Sequence, residues 1–223
     1  LIAYHNFNEE SSANGILELL RDGKNIALIS DAGYPLINDP GQKIVTLATG
    51  EGFNVVPVSG PSAFLNALVA SGLVAQPFIF IGFLPQSHSD RVKKLKEYEN
   101  YPMTMIFYEA PHRIEKCLKD CMEVFGDRKM TLARELTKMH EEFLRGSISE
   151  ILEVINELRG EMVIVMDGNH EDKSKAIDMN TIIEMVNASV ENGMSTKDAI
   201  KDAAKKTGIS KNRIYDAVNS NRN

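Results

Sequence analysis

An α/β fold is predicted for this 223-residue chain by three features. Short, continuous apolar runs recur along it, segments with helical periodicity lie between them, and the joints are rich in Gly, Pro and Asp. Unbroken apolar runs suit strands of a sheet covered on both faces, and strands alternating with helices imply layered α/β packing. The strand candidates are 26–30, 55–58, 78–83, 103–108, 130–133 and 162–166. Helices are expected over 9–21, 62–71, 89–99, 113–125 and 148–158. The last has the clearest signal: Ile148, Ile151, Leu152, Ile155 and Leu158 share one face, and Ser147 to Glu150 reads as a capping box.

The helix at 62–71 is apolar almost all round, and the turn "SGLVAQP" after it marks a domain boundary. An N-terminal α/β domain is therefore expected over 1–76 and a second over 77–168. The polar stretch "GNHEDKSKAIDMN" predicts a linker over 169–179, and 180–223 reads as a small helical bundle. In that tail Ser195 caps a helix, Gly208 stops it, and Ser210 opens another carrying Ile214 and Val218, a helix-turn-helix spacing.

With 43% hydrophobic residues the chain can bury a core. No run approaches the ~18 apolar residues of a membrane span, and no secretory signal is evident, so a cytoplasmic location is expected. Cys117 and Cys121 share a helix face and are read as reduced, partly buried thiols rather than a metal or redox site. The five His residues lack ligand spacing, so no metal site is predicted. Net charge is −6, unevenly spread: residues 1–90 hold 3 Lys+Arg against 8 Asp+Glu, whereas 91–145 hold 12 against 10 and 180–223 hold 7 against 5. A polyanion would have to meet the middle segment or the tail, because phosphate contacts need local positive potential. Solvated helix faces account for the same counts.

Three loops at strand ends stand out. In "LISDAGYPLINDPG", 28–41, an apolar strand runs into a loop with two Asp, two Gly and two Pro and then into another helix. Such residues hold a loop in one shape, and open α/β sheets bind ligands at the carboxyl ends of their strands. The second loop spans 59–63, with Ser62 at the start of a helix, and the third spans 107–113. Neither GxxxxGK[ST] nor a GxGxxG after a strand occurs, which removes the main warrant for nucleotide-triphosphate and dinucleotide sites. Ser62, His112 and Asp31 could be written as a hydrolase triad, but the GxSxG elbow is missing.

These loops, together with "PVSGPSAFLNALVASGL", "FIFIGFLP", "IFYEAPHRI", "ARELTKMHEEFLRGS" and "GEMVIVMDG", resemble the tetrapyrrole methylase superfamily of S-adenosylmethionine enzymes. Within it they are most similar to the bacterial branch that methylates a cytidine 2′-hydroxyl of small-subunit ribosomal RNA. The resemblance implies two α/β domains with a cleft between them, S-adenosylmethionine as cofactor, the small ribosomal subunit as partner, and a homodimer. Carried over by position, it implies that Asp31, Ala32, Gly33 and Tyr34 line one wall of the cofactor cleft, Ser62 and Ala63 the opposite loop, and Tyr108 the second-domain wall. Arg113, Arg134 and Arg145 fall in matched motifs and are the expected RNA contacts. Glu109 is a candidate base, with an ion pair to Arg113 as the competing reading. The family usually has Thr, Ser and Pro where Tyr34, Asn38 and Ser59 stand. It also begins earlier, with a strand, a Gly-Pro loop and a helix, so the start of the expected cleft is read as missing. Two alternatives stay open: a corrinoid-type small-molecule methylase, and a catalytically impaired RNA-binding fragment.

Overall fold

The structure is a computed structural model that describes residues 1–5, 8–155, 160–170 and 179–220. The chain divides into two units, Leu1–Asn169 and His170–Asn223. In the first, β1 (Phe78–Phe83), β2 (Thr104–Glu109), β3 (Lys129–Arg134), β4 (Glu142–Ser147) and β5 (Met162–Met166) form one sheet in the order β1-β2-β5-β3-β4. β1 and β2 are parallel and the other three pairings antiparallel. Helices α1 (Glu9–Arg21), α2 (Gln42–Gly50) and α3 (Ala63–Ala70) precede the sheet, and α4 (His88–Lys96), α5 (Ile114–Phe125) and α6 (Ile148–Val154) lie between its strands.

Side chains alternate across a strand, and here both faces are covered. Met105, Phe107, Met130, Leu132, Ile164 and Met166 pack with Leu95 of α4, Leu118 of α5 and Ile151 of α6. Ile106, Ala133, Val163 and Val165 pack on the other face with Ala67 and Leu68 of α3. Double coverage is why these strands read as unbroken apolar runs. The end of α3 is fastened to the sheet by polar groups as well. Thr131 Oγ1 donates to the Ser71 carbonyl at 2.9 Å, and Arg145 Nη2 to that of Ala70 at 2.7 Å.

Two expected strands are not formed. Segments 26–30 and 55–58 pair with no strand among the described residues, and Ile29, Val56 and Val58 are 75%, 69% and 86% exposed. An apolar run specifies burial, but a strand also needs a neighbour for its N–H and C=O groups. Instead of the α/β domain expected over 1–76, the described part of that region is helical with extended connections. Helices α1 and α2 enclose a small core of Ala13, Ile16, Leu17 and Ile44. Glu9 of α1 accepts from the backbone N–H groups of Gly41 (3.1 Å) and Lys43 (3.2 Å) at the start of α2. The hydrogen bonds from Lys43 and Gly41 hold its carboxyl below the usual range. The expected boundary at 76–77 falls inside the first unit. Strand β4 was not anticipated, since an edge strand reading Glu-Phe-Leu-Arg-Gly-Ser has no long apolar run. Helix α6 follows the expected capping box, with Ser147 accepting from the Glu150 N–H and Glu150 reaching back. Leu158 and most of the expected linker, residues 171–178, lie outside the described residues.

The second unit contains α7 (Met179–Glu191), α8 (Thr196–Thr207) and α9 (Lys211–Ser220) around Ile182, Val186, Ala203, Ile214 and Val218. Ser195 caps α8 by accepting from the Asp198 N–H, and Gly208, at φ +73°, ends it in the left-handed turn that favours glycine.

Cys117 and Cys121 are fully buried free thiols on α5. The hydrogen bond to Cys121, and then burial, push the Cys117 thiol well above its ordinary range. Because the thiolate is the reactive form, a thiol reagent should label neither cysteine in the native chain and both in urea, as mass spectrometry will read. Gly168 is packed so closely that a Cβ would lie 2.2 Å from the Pro102 carbonyl oxygen and 2.8 Å from the Met103 nitrogen. Backbone cannot yield there as a side chain would, so Gly168→Ala should cost about 1–3 kcal/mol in urea unfolding.

Candidate cofactor site

The loop after segment 26–30 is curled by its own serine. Ser30 Oγ donates to the carbonyls of Ala32 (3.2 Å) and Gly33 (3.0 Å). Gly33 takes φ +70°, and a Cβ there would lie 3.9 Å from the Pro61 carbonyl oxygen, so the bend faces the second loop at close range. Tyr34 joins the two loops directly, its hydroxyl accepting from the Gly60 N–H at 2.9 Å. Asp31, Ala32 and Gly33 are exposed beside this bond. Leu36 follows at φ +74°, an uncommon angle for a branched residue. Its side chain fills the space beside Gly41, where a Cβ would meet Leu36 Cδ1 at 2.7 Å. Asn38 reaches the sheet, with Oδ1 2.9 Å from where a Cβ on Gly82 would stand, at the irregularity of β1 between Phe80 and Gly82.

The second loop leads into α3. Ser62 is the N-cap but makes no side-chain capping bond, and the first N–H groups of a helix have no acceptor within it. One of them, that of Phe64, lies close enough to the Tyr108 hydroxyl to act on its titration. Burial raises the Tyr108 pKa, and the Phe64 N–H opposes it. The Tyr108 ring meets Phe80 edge-on at 5.0 Å and Phe83 at 5.5 Å, while Phe80 stacks on Phe64 at 4.4 Å. Tyr34, the 60–64 segment with Ser62 and Ala63, and Tyr108 are thus joined in one run of contacts.

The third loop sends its charged groups elsewhere. Glu109 follows Tyr108 on β2 and so points to the opposite face. Its side chain is fully buried, with Oε1 accepting from the Ala110 N–H at 2.8 Å and Oε2 from Arg113 Nη2 at 3.2 Å. Arg113 Nε lies 3.1 Å from Oε1 but off the line of a hydrogen bond. The ion pair, the competing reading of the sequence, describes this carboxylate, and the candidate base faces away from Tyr108. Arg113 turns inward, donating through Nη2 to the carbonyls of Leu84 (2.9 Å) and Pro85 (3.2 Å). Arg91 does the same from α4, donating to Pro85 (3.2 Å) and Gln86 (3.0 Å) while its Nε meets Asp120 at 2.6 Å. With Phe83, Lys94 and His112, this clamped loop lines a cavity of about 610 Å³. Arg134 pairs with Glu142 at 2.6 Å across β3 and β4, and Arg145 binds the end of α3. The three arginines expected at RNA therefore all make bonds within the chain.

The Arg91–Asp120 pair was not read from the sequence. Its signal is Asp120 on the apolar stripe of Cys117, Cys121 and Val124, where a carboxylate needs a buried cation. His88, Asp120 and Glu123 offer atoms within 4.8 Å of one another, but both Asp120 oxygens are already bonded, to His88 and to Arg91.

The family model described as Tetrapyrrole (Corrin/Porphyrin) Methylases matches residues 4–152. The chain belongs to this family. Among tetrapyrrole methylases it is 44% identical to the ribosomal RNA small subunit methyltransferase I of Bacillus subtilis, covering 97% of this chain and 76% of that protein. It is 38% identical to the protein of the same name from Halalkalibacterium halodurans, covering 96% and 76%. In fold it is similar to the methyltransferase CobJ (TM-score 0.54, 18% identity, 72% of each chain). It is also similar to uroporphyrin-III C-methyl transferase from Thermus thermophilus complexed with S-adenyl homocysteine (TM-score 0.51, 19% identity, 75% of this chain and 76% of that one). The α/β fold of the tetrapyrrole methylases is shared by all of them.

The bond between Tyr34 and Gly60 can be read directly. In Tyr34→Phe the Gly60 amide should exchange with solvent about fivefold faster, the loss of one hydrogen bond worth about 1 kcal/mol. Unchanged exchange by NMR would show that the loops are held together some other way.

Proposed function

We propose that the chain transfers a methyl group from S-adenosylmethionine to the 2′-hydroxyl of a cytidine in small-subunit ribosomal RNA. The observation that carries the reading is the meeting of loops 30–35 and 59–63 at the start of α3 beside Tyr108. It occurs in a chain 44% identical, over nearly its whole length, to a small-subunit ribosomal RNA methyltransferase. The likeness to corrinoid and porphyrin methylases, at 18–19% identity, is one of fold alone.

The residues present suit the cofactor. The first-turn N–H groups of Ala63 and Leu65 and the uncommitted Ser62 hydroxyl suit a carboxylate. The exposed Asp31 is an acceptor for the cofactor's donors, and Gly33 lets backbone come close. When bound, S-adenosylmethionine supplies a methyl group on positively charged sulfur, open to in-line attack by a hydroxyl oxygen. The protein's part is placement: holding donor and acceptor roughly 3–3.5 Å apart and aligned is worth several kcal/mol. Tyr34 fixes the spacing of the two loops, and the packing of Phe64 on Phe80 beside Tyr108 holds α3 to the sheet. The cleft of this reading lies between the 1–76 region and the sheet that follows it.

Arg145, exposed over the Phe143 ring at 5.1 Å, is proposed as an RNA contact. Arg113 and Arg134 act through the parts they brace, the 84–86 loop and the β3–β4 pair. The proposal includes a homodimer, to be checked by sedimentation, and a place among cytoplasmic ribosomes. No helix among the described residues is long and apolar enough to cross a membrane.

The test is tritium transfer to small subunits from a strain lacking this methylation. Label in a single cytidine 2′-O-methyl is the expected product, and no transfer to subunits or to their rRNA overturns the reading. For the cofactor wall, Asp31→Ala should weaken S-adenosylmethionine binding by about 1–3 kcal/mol, the cost of losing a charged hydrogen-bond partner, with unliganded stability nearly unchanged. Asp39→Ala, at the far end of the same loop, should bind as the parent does. Calorimetry on both variants separates a cofactor contact from a turn-stabilising residue.

A further inference from the structure

Helix α8 carries two parallel rows of charge. Lys197, Lys201 and Lys205 recur every four residues, and one position later so do Asp198, Asp202 and Lys206. Four-residue spacing places each set on one side of the helix. The second row is satisfied internally: Lys206 Nζ meets Asp202 at 2.7 Å, and Asp198 accepts from the Ser195 hydroxyl at 2.6 Å. The first row is not. Among the described residues no carboxylate pairs with Lys197, Lys201 or Lys205, and all three are exposed. Lys201 and Lys205 border a groove of about 460 Å³ whose other side is Ile209, Ser210 and Lys211 at the start of α9. One turn along α9 from Lys211, Tyr215 is 57% exposed. The bundle core is built from Ala199, Ala203, Ile209, Ile214 and Val218, so the lysines and Tyr215 stand outside it.

We infer that this face of the second unit holds phosphate backbone of the RNA substrate, with Lys201, Lys205 and Lys211 on phosphates and Tyr215 stacked on a base. Four helical residues advance about 6 Å, so the lysines present a repeated charge to a repeated charge. An exposed aromatic among cations is what a nucleic acid uses and an acidic peptide does not require. The first unit leaves most of this task open, because residues 1–90 are acidic, Arg113 and Arg134 brace its own backbone and strands, and Arg145 is a single exposed contact. The family model ends at residue 152, well before this face begins. The inference rests on the reading that RNA is the substrate.

The test uses the full chain and naked small-subunit rRNA, with affinity measured across salt concentrations. Combined Lys201→Gln, Lys205→Gln and Lys211→Gln should weaken binding at least tenfold and lower the slope of log affinity against log salt by about 2–3. The Michaelis constant for RNA should rise while turnover at saturation holds. Tyr215→Ala should weaken binding about five- to a hundredfold with the slope unchanged, the mark of stacking. Lys206→Gln, from the satisfied row, is the control and should match the parent. If the parent methylates rRNA but the triple variant keeps affinity and slope, the groove assignment is wrong and the enzymatic reading stands. Loss of binding to intact subunits with none to naked rRNA would make the partner a protein and overturn the assignment. A parent that neither binds rRNA nor methylates it, free or in small subunits, sinks both.

Discussion

The proposed cofactor site depends on how α3 is fastened to the sheet. At its start Phe64 stacks on Phe80 of β1, which Tyr108 of β2 meets edge-on; at its end Thr131 of β3 and Arg145 of β4 bind the carbonyls of Ser71 and Ala70. Between these ties Ala67 and Leu68 are buried against the sheet's apolar face. An eight-residue helix is marginal on its own, so its order comes from this tertiary embrace. The 59–63 loop is the direct extension of α3, and the 30–35 loop is coupled to it through Tyr34 and Gly60. Both loops are therefore placed relative to the strands by one short helix.

On the opposite face, charge has been buried for shape. Glu109 with Arg113, and Asp120 with Arg91, put four charged groups at the border of the core. Such pairs add little net stability, although breaking one leaves a costly unpaired charge. What they provide here is direction: both guanidiniums point at the carbonyls of residues 84–86 and turn that loop's backbone inward. Phe83 is left 55% exposed at the mouth of the adjoining cavity.

Much of this was legible in the residue pattern, and the exceptions share a cause. Helix α1 matches its periodicity, α6 its capping box, and α8 its Ser195 and Gly208 boundaries, because caps and stripes are local signals. The strands with covered faces were also found. Segments 26–30 and 55–58 failed because pairing is a property of neighbours, and β4 was passed over because an edge strand need not be apolar. The 30–35 and 59–63 loops were picked out by their turn chemistry, and Asp31 to Tyr34, Ser62 and Ala63 within them by the family resemblance, yet the Tyr34–Gly60 bond that joins the loops spans 26 residues. The arginines were legible only as charge. Whether a guanidinium meets solvent or a buried carboxylate is decided by the fold, and Asp120 on an apolar stripe was the one hint of it.

Tyr108 and Glu109 are adjacent in the chain, but one belongs to the aromatic wall beside α3 and the other to the arginine frame beneath α5. A substitution at either position disturbs one side of the sheet. A single-residue deletion within β2 would do something different, since it exchanges the faces of everything beyond it. The carboxylate would then arrive among Phe64, Phe80 and Phe83, and the phenol among the arginines. Descendants of this sequence are thus free to vary β2 in spelling far more than in length, and insertions tolerated by the lineage should cluster outside it.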